Sequence, residues 1–177
     1  MLAGCAEMLP KGETSTVGAW SSYEDAVRTF DRIIPYTTSV SDLKALNLDP
    51  TANPNITLLN YSDLLRRFVP SASIGLADLD QSVRECLLAQ SACRGLEVNQ
   101  SSIQRQRYGS FFADFLNFVR KTHVTGWRFN GMLLIKDDKV IYKLTGGQPI
   151  VEEREESRNP LGPFQGSGES AARSLVD

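Results

Sequence analysis

Apolar residues recur at helical spacing through the first half of the chain and at alternate positions through the second. Tyr23, Ala26, Val27, Phe30, Ile33 and Ile34 form the first helical stripe; Ser22 with Asp25 reads as a capping box and Pro35 closes the helix. Residues 39–46 repeat the device, with Asp42 as capping partner, Val40, Leu43 and Leu46 on one side, and Asn47 at the end. Two short helices joined by Pro35, Tyr36, Thr37 and Thr38 predict an αα-hairpin. Pro50 and Pro54 then force a loop, Ile56 to Leu59 is a short apolar run, and Asn60 or Ser62 caps a third helix through Leu64, Leu65 and Phe68, ended by Pro70. A fourth helix over residues 78–90 carries Leu79, Val83, Cys86 and Leu87 on its inner stripe.

From Leu96 onward the period falls to two. The alternating sets are Leu96 and Val98; Phe111, Ala113 and Phe115; Trp127, Phe129, Gly131, Leu133 and Ile135; and Val140, Tyr142 and Leu144. Asp137 and Asp138 mark a tight turn between the last two strands, and Gly126 a break between the second and third. Connections this short make neighbours antiparallel. The expected fold is α+β: an N-terminal helix hairpin packed on one face of a C-terminal antiparallel sheet of three to four strands, with additional short helices inserted. No repeat with a period of twenty to fifty residues is expected.

The polar, Gly-containing stretch 1–19 predicts a flexible tether, residues 20–156 a single domain, and 157–177 a mobile tail that follows the charged run Glu152 to Arg158. At 177 residues, with 41% hydrophobic and 23% charged, the chain has the makeup of one folded domain. A net charge of -2 offers no field for seizing a nucleic-acid backbone, so neither nucleic acid nor nucleotide is an expected partner. The alternation of Gln104, Arg105, Gln106 and Arg107 with Tyr108 reads as an exposed strand face. Phosphate-binding glycine motifs and the H-E-x-x-H zinc signature are absent from the sequence.

The cysteines need separate explanations. Leu2, Ala3 and Gly4 precede Cys5, and L-A-G-C resembles the lipobox of bacterial lipoproteins, in which the cysteine sulfur carries the lipid. That resemblance implies a late start or a truncation upstream of Cys5, which would be the lipidation site and the mature N-terminus. It also implies an oxidising periplasm, where Cys86 and Cys93 read as a disulfide across a turn at Ser91, Ala92 and Gly95; two buried thiols are the alternative. A zinc site, and with it any metal or other cofactor, is not expected, because one histidine and two cysteines lack a good fourth ligand.

The order helix, helix, antiparallel strands behind a lipobox resembles the SmpA/OmlA family, the E lipoprotein of the outer-membrane β-barrel assembly machine. Phe30-x-x-Ile33 followed by Thr37, Thr38, Val40, Leu43 and Leu46 matches that family's helix-hairpin signature, although Tyr36 and Asn47 stand where the family usually carries glycine. The resemblance implies a non-enzymatic binding or scaffold lipoprotein on the periplasmic side of the bacterial outer membrane, partnered with an envelope protein complex. Ala6 after the lipidated cysteine leans the same way, since Asp there tends to signal inner-membrane retention. A secreted or periplasmic inhibitor-like module and a periplasmic hydrolase are the competing readings.

A hydrolase would have to be built on His123, in a stretch read as a hairpin connection, or on Asp114, expected to pair across the sheet with Arg105, Arg107 or Arg128. On the strand beginning at Gly126, Trp127, Phe129, Leu133 and Ile135 are expected to fill the core. Arg128, Met132 and Leu134 are left to an outer face whose mixed polar and apolar character suits a protein partner.

Overall fold

The computed structural model describes residues 9–16, 18–110, 114–116 and 119–159. Its elements run β1 (Lys11–Ser15), α1 (Tyr23–Asp31), α2 (Val40–Ala45), β2 (Ile56–Leu59), α3 (Tyr61–Phe68), α4 (Gln81–Ala89), β3 (Cys93–Tyr108), β4 (Val119–Lys136) and β5 (Lys139–Arg158), with short 3-10 turns at Leu76–Asp78 and Gln90–Ala92. The sheet order is β1-β3-β4-β5, and β2 also pairs with β3, antiparallel, from Ile56 opposite Val98 to Leu59 opposite Gly95. The expected class holds, with five strands rather than three or four.

The helix starts are set by local chemistry. Ser39 and Asp42 form a reciprocal capping box on α2, and Asn60 with Asp63 forms another on α3. On α1 the Ser22 hydroxyl accepts from the Asp25 amide, while the Asp25 carboxylate accepts from Ser21 instead of closing the box on Ser22. Asp80 caps α4, so that helix begins three residues later than its apolar spacing predicts. Asp137 and Asp138 both take positive φ, as the two-residue turn between β4 and β5 requires.

The chain divides into two compact units. Unit 2 comprises Ser15–Ser102 and Trp127–Pro149. In it the sheet is covered on both faces, not one. Side chains alternate along β4, so Phe129, Leu133 and Ile135 face a cluster with Trp20, Phe30 and Ile33 and with Leu43 of α2, while Leu134 faces Leu64 of α3 and Val83, Cys86 and Leu87 of α4. Phe129 is the hub of the first cluster, with edge-to-face contacts to Phe30 at 5.0 Å, Trp20 at 5.3 Å and Tyr23 at 5.8 Å. Gly131 lies under Phe30: a Cβ there would stand 2.2 Å from the ring.

The two helix pairs repeat one another. Tyr23-x-Asp25-Ala26-Val27-Arg28-x-Phe30 in α1 corresponds to Tyr61-x-Asp63-Leu64-Leu65-Arg66-x-Phe68 in α3, and in each the aspartate is ion-paired to the arginine three residues on. Val40 and Leu43 of α2 correspond to Val83 and Cys86 of α4, and both second helices are followed by a residue of positive φ, Asn47 and Gln90. The expectation of no repeat is therefore corrected. Its sequence signal is weak because the offset changes from thirty-eight residues at the first helix to forty-three at the second.

Unit 1 comprises Met1–Thr14, Ile103–Gly126 and Ile150–Asp177. Its described part is a ribbon of the ends of β3, β4 and β5 with β1, around a small core of Ile103, Val124 and Val151, and Leu9 is also buried. Three expectations change here. Lys11–Ser15, read as part of a tether, is strand β1, and the Pro10 carbonyl accepts from the Arg107 amide at 3.5 Å. The strand expected through Phe111 and Phe115 is not formed at its described end, where Asp114 and Phe115 are helical and the Asp114 amide donates to the Ser110 carbonyl at 3.1 Å; Phe111 and Ala113 lie outside the described residues. β4 continues through Gly126 at φ 149, and β5 carries the charged run to Arg158. The tail beyond 159 lies outside the described residues. No helix among those described is long and apolar enough to cross a membrane.

Candidate functional site

Cys5 lies outside the described residues. Cys86 at the end of α4 and Cys93 at the start of β3 are both buried, with their sulfurs at bonding distance and Cα atoms 5.2 Å apart. The left-handed Gln90 and the 3-10 turn that follows bring β3 back toward the helix it leaves. With its sulfur shared, Cys86 has no thiolate to act as a nucleophile.

The expected partner surface does not form. Met132 is 5% and Leu134 0% exposed, because α3 and α4 cover the face they were assigned to, and the Arg128 guanidinium donates to Gln148 Oε1 at 2.8 Å. Sequence alternation distinguishes two faces but does not say whether one or both receive helices.

Asp114 and His123, the two titratable residues on which a hydrolase would have to be built, both lie in unit 1, each with its own charged neighbours. Asp114 is buried, with the Arg107 guanidinium 3.4 Å from one carboxylate oxygen and the Arg120 Nε 3.3 Å from the other. The expected pairing with Arg107 is thus present, but it starts from a helical turn rather than across strands, and Arg120 joins it. His123 sits within β4, not in a connection; its Nε2 lies 3.4 Å from Glu152 Oε1, long for a hydrogen bond, and is buried without a hydrogen-bond partner. Gln106, Tyr108, His123 and Arg154 line an open cleft of about 460 Å³ on this ribbon. Its cationic and amide donors suit a carboxylate or phosphate oxygen better than an apolar ligand.

A second polar cluster, in unit 2, escaped the sequence reading. Tyr36, in the α1–α2 connection, donates its amide to the Val140 carbonyl at 2.6 Å, and its hydroxyl meets Ser82 and Glu85 of α4 at 3.0 and 3.2 Å. Glu85 in turn accepts from Lys136 at 2.9 Å. That hydrogen bond from Lys136 holds the Glu85 carboxyl below its usual range, and the same bond raises the Lys136 ammonium. These residues tie the first helix connection to the second helix pair around the start of β5. No local pattern announces such a link between residues forty-six and more apart.

Among the described residues no group of three or more His, Cys, Asp or Glu could hold a metal ion. No known protein family, curated protein or solved structure matches this chain.

Proposed function

We propose that the chain is a lipid-anchored envelope protein, attached to the bacterial outer membrane through Cys5 and acting as a non-enzymatic binding or scaffold module in the periplasm. The observation that carries the reading is the Cys86–Cys93 pair at bonding distance in the interior. Such pairs persist in oxidising compartments and are rare where thiols are kept reduced. The L-A-G-C sequence adds the anchor and the side of the envelope.

Within this reading α1 and α2 are a helix hairpin of the SmpA/OmlA kind. A detail of backbone conformation supports it. Tyr36 and Asn47, which stand where that family carries glycine, have φ of 63° and 60°, the region that glycine enters without strain. The partner is an envelope protein, and its docking surface lies elsewhere than on Met132 and Leu134.

Expression behind a lipoprotein signal sequence, with metabolic labelling by a clickable fatty acid, tests the anchor. The wild type is expected to carry label and to fractionate with the outer membrane. Cys5→Ser is expected to lose both, because only several acyl chains together make anchoring stable. Unlabelled wild-type protein in the soluble fraction would overturn the reading.

A further inference from the structure

We infer that the aromatic end of the β3–β4 arm is a second membrane contact, which seats on an anionic lipid surface. Tyr108 and Leu116 are each 43% exposed there, and Phe115 is 73% exposed. The segment 103–126 carries four basic residues, Arg105, Arg107, Arg120 and Lys121, against the single carboxylate of Asp114, while the neighbouring β5 sets Glu152 beside His123 and Glu156 beside Lys121. Asp114 draws Arg107 and Arg120 together at 3.4 and 3.3 Å, so one buried negative charge holds two guanidiniums at the base of the tip. Lys121 has Glu156 at 3.8 Å, a partner it shares with Arg158, and Arg105 is exposed. Exposed aromatic and aliphatic side chains beside cations are the composition that partitions into the headgroup boundary of an anionic bilayer.

Placement argues the same way, and here the inference rests on the reading of Cys5 as a lipid anchor. Leu9 is buried in unit 1, and the Pro10 carbonyl is bonded to the Arg107 amide, one residue before Tyr108. The five residue steps from Cys5 to Pro10 span at most about 17 Å. An anchor at Cys5 therefore keeps the Pro10–Arg107 contact of this arm within about 17 Å of the bilayer.

The test uses the full chain carrying Cys5→Ser, which removes the anchor and leaves the arm. Flotation with phosphatidylcholine vesicles is compared with flotation on vesicles that also contain phosphatidylserine. Binding is expected on the anionic vesicles, falling with added salt. Phe115→Ser with Leu116→Ser should weaken it about tenfold or more, and Arg105→Glu about fivefold or more. All should keep the wild-type melt, since the altered side chains are exposed. Equal flotation of the wild type and variants, or none by the wild type, overturns the inference. Self-association that needs Phe115, without vesicle binding, gives the surface to a protein partner and overturns it too. Loss of fatty-acid labelling at Cys5 with vesicle binding intact removes the anchor alone, whereas labelling with no vesicle binding removes this contact alone.

Discussion

Among the described residues, the cluster beneath α1 and α2 holds thirteen buried residues, four rings among its contacts; the cluster beneath α3 and α4 holds seven, and two of those are the bonded cysteines. The same helix-helix-strand pattern thus covers the two faces of one sheet by different means. The first face removes enough apolar surface to be held by packing, while the second buries smaller side chains and adds a covalent link from Cys86, where the first has Leu43. The lesson is that a repeated element can diverge in what stabilises it while the Asp–Arg ion pair of its first helix and the positive φ after its second stay the same.

The comparison breaks first at Phe129. Its ring meets three others, and truncation leaves a cavity that neighbouring aromatics are too rigid to fill. Phe129→Ala is expected to cost about 3 to 5 kcal/mol. Chemical denaturation checks it: a loss under about 1 kcal/mol would mean that the first face is not held by its rings.

The second face breaks by reduction. Closing about eight residues constrains the unfolded chain by about 2.5 kcal/mol in the chain-entropy account. Cys86→Ala with Cys93→Ala, or a reductant, should lower the melting temperature, and a reductant should leave the melt of the double variant unchanged. If reduction lowers the wild type and the double variant equally, the covalent link is not what distinguishes this face.

What the sequence made legible was local. The box at Ser39, a cap at Asn60 or Ser62, the turn at Asp137 and Asp138 and the stripe Val83, Cys86 and Leu87 are decided within a few residues; each is present, with Asn60 as the cap. The cover on the second face was not legible, because Met132 and Leu134 share their strand face with Arg128 and Asn130 and so read equally well as an outer surface. Strand β1 was hidden because an exposed edge strand, Lys-Gly-Glu-Thr-Ser, has no apolar alternation to show. At the candidate site, charge and alternation offered Asp114 three arginines, of which Arg107 is a partner, whereas Arg120 and Glu152 depend on how β4 and β5 run through unit 1.

Acid sharpens the comparison most gently, because the two helix pairs share one device. Asp42 in the first and Asp63 in the second each have the carboxyl lowered by the backbone amide they accept at the helix start, from Ser39 and Asn60. A carboxyl whose folded value lies below its unfolded value contributes stability that is present above the unfolded value, near 3.8 for Asp, and is lost as pH falls through the folded one. Glu85 has the same sign; it sits on α4 of the second pair and carries with it the link to Lys136 and to Tyr36 of the first connection. Denaturation midpoints should therefore hold steady from pH 7 to about 5 and decline below about 4. Asp42→Asn and Asp63→Asn should each flatten that decline by similar amounts, and Glu85→Gln should flatten it further only where the second pair is followed, by a fluorophore on α4. An unchanged slope in both aspartate variants would mean that the caps, though formed alike in the two pairs, do not carry the stability that acid removes.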